Sequence, residues 1–366
     1  MMVMKMQSLD KKMWKRLLAF DEEAPLCIKT TNSSIDGVRL IDDTDTTIPY
    51  ITRSDSNNGL NRFVSEKNFI FGSDEGGCIT VGLDTQTAFY QPHKFVTGQN
   101  IHIITGKNLN KEISQFILPI LRQQMAAKFN WGGNGATLNR MKHLTIMLPF
   151  SDSGQIDYAY MDDYVKTKRN TMLNKYRNYA KKRIAELGDI VDVPALDEKE
   201  WDEFALCNIF TIESGKRLEN RNKILGTRPF IGATDNGNGV TGYVANVNAS
   251  LDSNVLGVNY NGAPCIAFYH PYECIFSDDV KRLHLKNREY NNKFILLFFT
   301  TAFAQQKGKY SYGYKFKEQR MMQQKLMLPV NENGDPDYAY MEQYIKNMML
   351  KKYKQYLAFL EEMMNE

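Results

Sequence analysis

Residues from which most catalytic centres are built are scarce in this chain. Its 366 residues include five histidines and five cysteines. Cys27, Cys78, Cys207, Cys265 and Cys274 are odd in number, form no CxxC pair and mostly have apolar neighbours. This argues against a disulfide framework or a thiolate zinc site, and for reduced, buried thiols in a cytosolic protein. His93, His102, His143, His270 and His284 lack the spacing of metal ligands. His102 in NIHII and His284 in RLHLK read as similar strand positions, where structural histidines are expected. No GxxxxGK[ST] phosphate loop, strand-following GxGxxG or GxSxG elbow occurs. The very apolar run FILLFFTTAFA (residues 294–304) is about half the length of a membrane span, so a buried core helix is expected there. The first twenty residues contain no long apolar stretch, so no signal peptide is expected.

What remains is an average soluble composition, 43% hydrophobic and 24% charged, in a chain long enough for two domains. The formal net charge of +4 permits a nucleic-acid surface without requiring one. The dominant feature is a repeat. The phrase DYAYM occurs at residues 157–161 and again at 337–341, and the flanking LPFSDSGQIDYAYMDDYV and LPVNENGDPDYAYMEQYI correspond as well. About half the positions in this window are identical, against roughly one in fifteen for unrelated sequences. At nearly the same offset TTIPYITRSDSNNGLNRFV aligns with GTRPFIGATDNGNGVTGYV, and AFYQP with AFYHP. So long a period indicates duplicated domains, not a solenoid.

Within each unit the pattern gives strands, a helix and a closing strand that ends at Pro149 or Pro329, an α+β arrangement. Pro119 falls inside the helical pattern of the first unit, where a kink is expected. Each unit is then followed by a long helical run. The expected division is a first recognition unit at 1–155, a first long helix at 156–188, a second unit at 189–335 and a second long helix at 336–366. Gly188 is placed as the residue that ends the first helix, and Pro194 as a barrier to its continuation.

Asp157 and Asp337 stand just before these runs, where a carboxylate caps a helix. Tyr160, Met161, Tyr164, Val165, Met172 and Tyr176 in the first run, and Met341, Tyr344, Ile345, Met348 and Tyr356 in the second, recur at helical spacing. They are expected to form the seam of an antiparallel coiled coil with pseudo-two-fold symmetry, or to dock a partner. A helix of about 30 residues is about 45 Å long, enough to hold two units well apart.

Two pairs of polar stretches offer a recognition surface. RSDSNNGLNR (residues 53–62) and GATDNGNGVTGY (232–243) are rich in side chains that both turn the chain and donate or accept at base edges. Arg53, Ser54, Asn57, Asn58, Arg62, Thr234, Asn236, Asn238 and Tyr243 are the candidates there, with Arg228 four residues ahead of the second stretch. KFNWGGNGATLNRMK (128–142) and KGKYSYGYKFKEQR (307–320) mix glycine, aromatic and basic residues, which suits phosphates and bases. Asn130, Trp131, Asn134, Arg140, Lys309, Tyr310, Tyr312, Lys315, Lys317 and Arg320 are the candidates in these. An enzyme with a degenerate nuclease or methyltransferase site, its carboxylates Asp335, Asp337 and Glu342, is the alternative reading. A purely protein-binding helical scaffold is the third.

Two variable units, each ending in LP and a long helix, resemble the specificity subunit of Type I restriction-modification enzymes. The duplicated LP…G…DYAYM[DE]xY phrase is similar to the related BcgI-like Type IIB specificity subunits. DYAYM stands where a typical Type I subunit carries an LPPLxEQ phrase, which leaves the system type open. The resemblance implies a non-catalytic chain in which each unit is a target recognition domain for one half of a bipartite site in double-stranded DNA. It implies that the helices set half-site spacing and dock adenine-N6 methyltransferase subunits. S-adenosylmethionine and magnesium, with ATP a further candidate, then belong to partner subunits, and cleavage to a restriction subunit or fused nuclease. No membrane partner is implied, and the compartment is cytoplasmic.

Overall fold

A computed structural model describes residues 8–20, 24–129, 135–310 and 316–365. It contains two compact units, residues 1–176 and 177–366, so the division falls inside the first long helix.

In the first unit, β1 (Met13–Leu18) pairs antiparallel with β9 (Thr145–Phe150) as a two-stranded ribbon. Between them lie β2 (Cys27–Thr30), β3 (Ile48–Ile51), β4 (Leu60–Val64), β5 (Cys78–Gly82), β6 (Ala88–Gln91), β7 (Val96–Thr97), β8 (Ile101–Thr105), α1 (Lys111–Lys128) and α2 (Leu138–Lys142). They form a four-stranded sheet, β2-β8-β5-β6, and a three-stranded sheet, β4-β3-β7. Every residue of β5 is buried, because the sheet is covered on both faces. Ile113, Phe116, Ile117, Leu121 and Met125 of α1 fill the main core with Ile79, Val81 and Ile104. Asn110 caps α1 by accepting from the Ile113 amide at 2.8 Å, and the helix runs unbroken through Pro119.

The second unit repeats these strands and helices in order, with one short helix added. β10 (Trp201–Ala205) pairs with β18 (Lys325–Pro329). α4 (Leu206–Ile209), β11 (Phe210–Ser214), β12 (Leu225–Ile231), β13 (Val240–Val244), β14 (Val255–Asn259), β15 (Ala267–His270), β16 (Ile275–Phe276), β17 (Val280–Leu285), α5 (Lys293–Ala304) and α6 (Glu318–Gln323) lie between. The sheets are β11-β17-β14-β15 and β13-β12-β16, the same orders as in the first unit. The apolar run becomes α5, with Ile295, Leu296, Phe299 and Phe303 fully buried in the core. No helix among the described residues is long and apolar enough to cross a membrane. Cys78, Cys265 and Cys274 are buried free thiols, each pushed up to about 12 chiefly by burial, whereas Cys27 is exposed.

The strand registers correct one equivalence. Ile79 faces Ile104 in the first unit and Leu256 faces Leu283 in the second, so His102 matches Lys281, and His284 matches Thr105. His284 lies in a polar cluster, its Nε2 3.1 Å from Asp252, which also accepts from Arg282 Nη1 at 2.9 Å.

The long helices are α3 (Tyr158–Leu187) and α7 (Tyr338–Asn365). A tight loop turns each LP strand into its helix: Ser151 N donates to Gln155 O and Asn331 N to Asp335 O, each at 2.9 Å, with Gly154 and Gly334 both at φ 78°. Asp157 Oδ1 accepts from the Tyr160 amide and Asp337 Oδ1 from the Tyr340 amide, both at 2.9 Å. The other carboxylate oxygen binds the strand ribbon, through Lys12 Nζ at 2.6 Å and Lys199 Nζ at 2.8 Å. The same ammonium groups lie over the Tyr160 and Tyr340 rings, 4.9 and 5.1 Å from the centroids. Gly188, at φ 77°, ends α3, its amide returning to Ile184 O.

The expected seam of the helices needs correction in their first turns. Tyr160 and Met161 are buried in the first core, with Tyr164 and Val165 packed against it. Met341 is buried in the second core, with Tyr344 and Ile345 against it. Trp14 stacks on Phe116, which meets Tyr164 edge to face, and Trp201, Phe298 and Tyr344 repeat the arrangement. These side chains face their own unit because the ribbon brings Trp14 or Trp201 and the unit helix brings Phe116 or Phe298 to that face. Further along, Met172, Met348 and Tyr356 are exposed and Tyr176 is half-buried. Within the second unit, Tyr179 of α3 meets Tyr353 of α7, ring centroids 6.1 Å apart. Asn347 exchanges two hydrogen bonds with the Val191 backbone, at 3.2 and 2.6 Å.

Burial raises the Asp157 carboxyl, but the Lys12 hydrogen bond, the Tyr160 amide and the Lys12 charge together hold it below its ordinary value. Its stabilisation is therefore full above about pH 4 and disappears as pH falls through the lower folded value. Asp157→Ala is expected to lose about 1 kcal/mol from the cap alone, plus the ion pair. Asp157→Asn is expected to keep the cap and lose only the pair. Urea unfolding at pH 7 should rank the wild type above Asn above Ala, and the wild type–Asn gap should shrink below pH 4.

Candidate nucleic-acid interface

Loops from distant parts of the chain meet at one end of each unit. In the first, residues 52–59 join β3 to β4, residues 83–87 join β5 to β6, and residues 135–137 precede α2. The β3–β4 loop closes with Thr52 N donating to Gly59 O at 2.8 Å. Asn57, Asn58 and Gly59 have φ of 49°, 58° and 76°, the left-handed region that asparagine and glycine adopt most readily. Arg53 is ion-paired to Asp84 in the neighbouring hairpin. The Ala136 amide donates to Leu83 O at 3.1 Å, which docks the third loop on the second.

The second unit builds the same surface with other residues. Gly232 N donates to Gly239 O at 2.9 Å, and Gly237, Asn238 and Gly239 have φ of 57°, 55° and 74°. Asn259 Nδ2 donates to Thr234 O at 2.8 Å, joining this loop to the β14–β15 hairpin. Lys281 lies over the Tyr260 ring of that hairpin and is ion-paired to Glu318 at the start of α6. Two separate polar stretches of the sequence are thereby gathered in each unit by a hairpin that the sequence reading did not single out.

A family model for the Type I restriction modification DNA specificity domain matches residues 29–177 and 198–357, one match for each copy of this surface. The chain belongs to that family. It is 39% identical over 303 residues to the Type II restriction enzyme BgcI specificity subunit S.BcgI of Heyndrickxia coagulans, covering 82% of this chain and 85% of that one. It is also similar to the crystal structure of the Type-I restriction-modification system S subunit from M. genitalium. There the TM-score is 0.55 and the identity 16%, over 98% of this chain and 96% of the other, a likeness of fold.

Within the specificity domains the candidate residues separate into groups. Asn57, Asn58, Asn236 and Asn238 are exposed on the loops, with Ser54 and Thr234 half-buried at their bases. Arg53 is exposed but engaged by Asp84, and Arg140 is exposed on α2 with Nη1 donating to Gly135 O at 3.1 Å. Lys309 and Lys317 are exposed, and Arg320 is half-buried on α6. Asn130, Trp131, Asn134, Tyr312 and Lys315 lie outside the described residues. Arg62 and Tyr243 stand on β4 and β13, beyond the loops, Arg62 3.8 Å from Asp42.

Two assignments change. Arg228 is held by Glu273 at 2.8 Å and by the Ala245 and Asn246 carbonyls, so it braces a strand away from the loop tip. Tyr310 packs against Phe316 at 4.6 Å and its hydroxyl donates to Gln324 Oε1 at 2.6 Å, so it is part of the core. The carboxylates of the alternative enzyme reading are also engaged structurally. Asp337 caps α7 and binds Lys199, and Glu342 binds Lys346 and Asn292. Residues missed from the sequence include Asp84, Asn259, Tyr260 and Tyr272; only the repeated AFYQP/AFYHP phrase pointed toward this region.

A Cβ on Gly59 would lie 3.1 Å from the Thr52 carbonyl oxygen, and one on Gly239 3.1 Å from Ile231 Cγ2. Gly59→Ala and Gly239→Ala are each expected to cost about 1 kcal/mol or more in unfolding free energy, because alanine resists positive φ. His270, fully buried beneath the second loop, is pushed down to about 4 by burial. Because the unfolded chain binds the proton more readily, stability should fall as pH drops from about 6.5 toward that value. His270→Gln should flatten the decline in a denaturant series between pH 7 and pH 5.

Proposed function

We propose that this chain is the DNA sequence-specificity subunit of a restriction-modification complex, each unit reading one half of a bipartite, asymmetric site. The observation that carries this reading is one loop frame built twice with different side chains on it. Arg53, Ser54, Ser56 and Asn57 of the first loop face Ala233, Thr234, Asn236 and Gly237 of the second, while Asn58 and Gly59 correspond to Asn238 and Gly239. A common backbone fixes how each loop approaches a groove, and different donors and acceptors select different bases.

The long helices serve as spacer and dock. They pair antiparallel, which relates the two reading units by a pseudo-two-fold axis like those of duplex DNA. A helix of about 45 Å spaces half-sites by roughly one DNA turn or slightly more. Exposed Met172, Met348, Tyr356 and Phe359 supply apolar surface for adenine-N6 methyltransferase subunits. Within the second unit an open groove of about 480 Å³ between residues 190–196 and α7, lined by Val191, Leu196, Tyr344 and Met348, supports the same role. The reaction itself, with S-adenosylmethionine and magnesium and with ATP a further candidate, belongs to those partners and to a separate or fused nuclease. This chain contributes orientation, not bond making.

Sequencing the methylome of a host with the complete system should reveal a split adenine motif that vanishes when this gene is deleted; persistence of every motif sinks the proposal. Exchange of residues 8–155 for another family member's unit should rewrite one half-site and leave the other intact. Binding of the assembled complex should weaken steeply with salt, as phosphate contacts require.

A further inference from the structure

The two AFY strands end in different residues, one joined directly to the tip of its reading loop and the other through a tyrosine. In the first unit Gln91 is buried, and its Nε2 donates to Asn58 O at 2.9 Å and to Thr80 Oγ1 at 3.0 Å. Asn58 is the middle of three successive left-handed residues at the loop tip. In the second unit the equivalent strand residue is His270, which does not reach the loop directly. Its Nδ1 lies 3.4 Å from the Tyr272 hydroxyl, and that hydroxyl accepts from Asn238 Nδ2 at 3.0 Å. Asn238 is the left-handed residue matching Asn58.

The neighbouring strand changes in step. Thr80 faces Phe89 in β5–β6, and Gly257 faces Phe268 in β14–β15, so Gly257 replaces Thr80. A Cβ on Gly257 would lie 2.9 Å from His270 Nε2, so glycine is what admits the imidazole. The seat of the loop is otherwise shared: a Cβ on Gly59 or Gly239 would lie 3.6 or 3.3 Å from the ring of Phe89 or Phe268. One loop is thus latched through its backbone by an amide, the other through a side chain by a histidine–tyrosine relay.

We propose that Gln91, and the His270–Tyr272 pair, are positioning residues for DNA reading. They hold the middle left-handed residue of each loop so that its neighbours meet the bases in a fixed orientation, and the two latches are alternative solutions to one requirement. This rests on the reading-loop assignment above. Preorganisation of this kind raises discrimination between bases because a loop free to shift can satisfy its donors on the wrong base.

The test uses the full chain assembled with its methyltransferase, on duplexes carrying the site defined by the methylome and on duplexes altered in one half. Tyr272→Phe, which removes only a hydroxyl, should reduce discrimination about tenfold in the half read by the second unit, the size of one hydrogen bond. Discrimination in the other half should be unchanged. Gln91→Met should give the mirror-image result. Adding His270→Gln and Gly257→Thr to Tyr272→Phe rebuilds the first unit's latch and should restore the lost discrimination. Unchanged discrimination in both single variants, or equal loss in both halves, overturns the proposal while leaving the reading loops in place. A wild-type complex without sequence preference overturns the reading itself and the latches with it.

Discussion

The ion pair between a ribbon lysine and a helix-capping aspartate, Lys12–Asp157 in one unit and Lys199–Asp337 in the other, governs how each unit is joined to its long helix. Both pairs are largely shielded from water, and each aspartate uses its second oxygen to cap the first turn. The carboxylate therefore fixes two directions at once: where the helix begins and which way it leaves the LP strand. A shielded carboxylate is tolerated only when both oxygens are engaged. The tyrosine two residues past the first aromatic lies under the same ammonium, and the following methionine is fully buried. The repeated DYAYM phrase is thus a joint: its aspartate caps and pairs, its second tyrosine lies under the ammonium, and its methionine fills the core.

A rigid joint matters because a specificity subunit acts by geometry. An error of angle at the start of a helix about 45 Å long grows into a displacement of several ångströms at its far end. The aromatic series from Trp14 through Phe116 to Tyr164, repeated from Trp201 through Phe298 to Tyr344, adds a second restraint on the same angle. Conserving this joint twice while the loops diverge separates two requirements within each unit. The way the helix leaves the unit is the same in both copies, and the side chains on the loops are not.

The duplication, the LP strands, the capping aspartates, the buried run at α5 and the Asn-Gly loops were legible in the sequence, whereas the division into compact units falls inside the first long helix. The apolar stripe of the long helices was legible as periodicity, but not its division. Periodicity shows that a face is buried without showing against what, and the first two turns proved to face their own unit. Composition likewise placed Tyr310 and Arg228 on the recognition surface. Their partners, Gln324 and Phe316 for one and Glu273 for the other, come from strands and helices that only folding brings near.

By itself, then, the sequence determined that one α+β unit is written twice, that each copy closes on LP and an aspartate-capped helix, and that polar, glycine-containing loops differ between copies. These follow from local rules of capping, turn formation and hydrophobic period. Only the tertiary structure decided that the β5–β6 and β14–β15 hairpins gather two distant loops into one surface. It alone showed that His102 matches Lys281 and not His284, because register is set by strand pairing. It also assigned Gln91 and Tyr272 to the loop tips, since those contacts join positions 33 residues apart in one unit and 34 in the other.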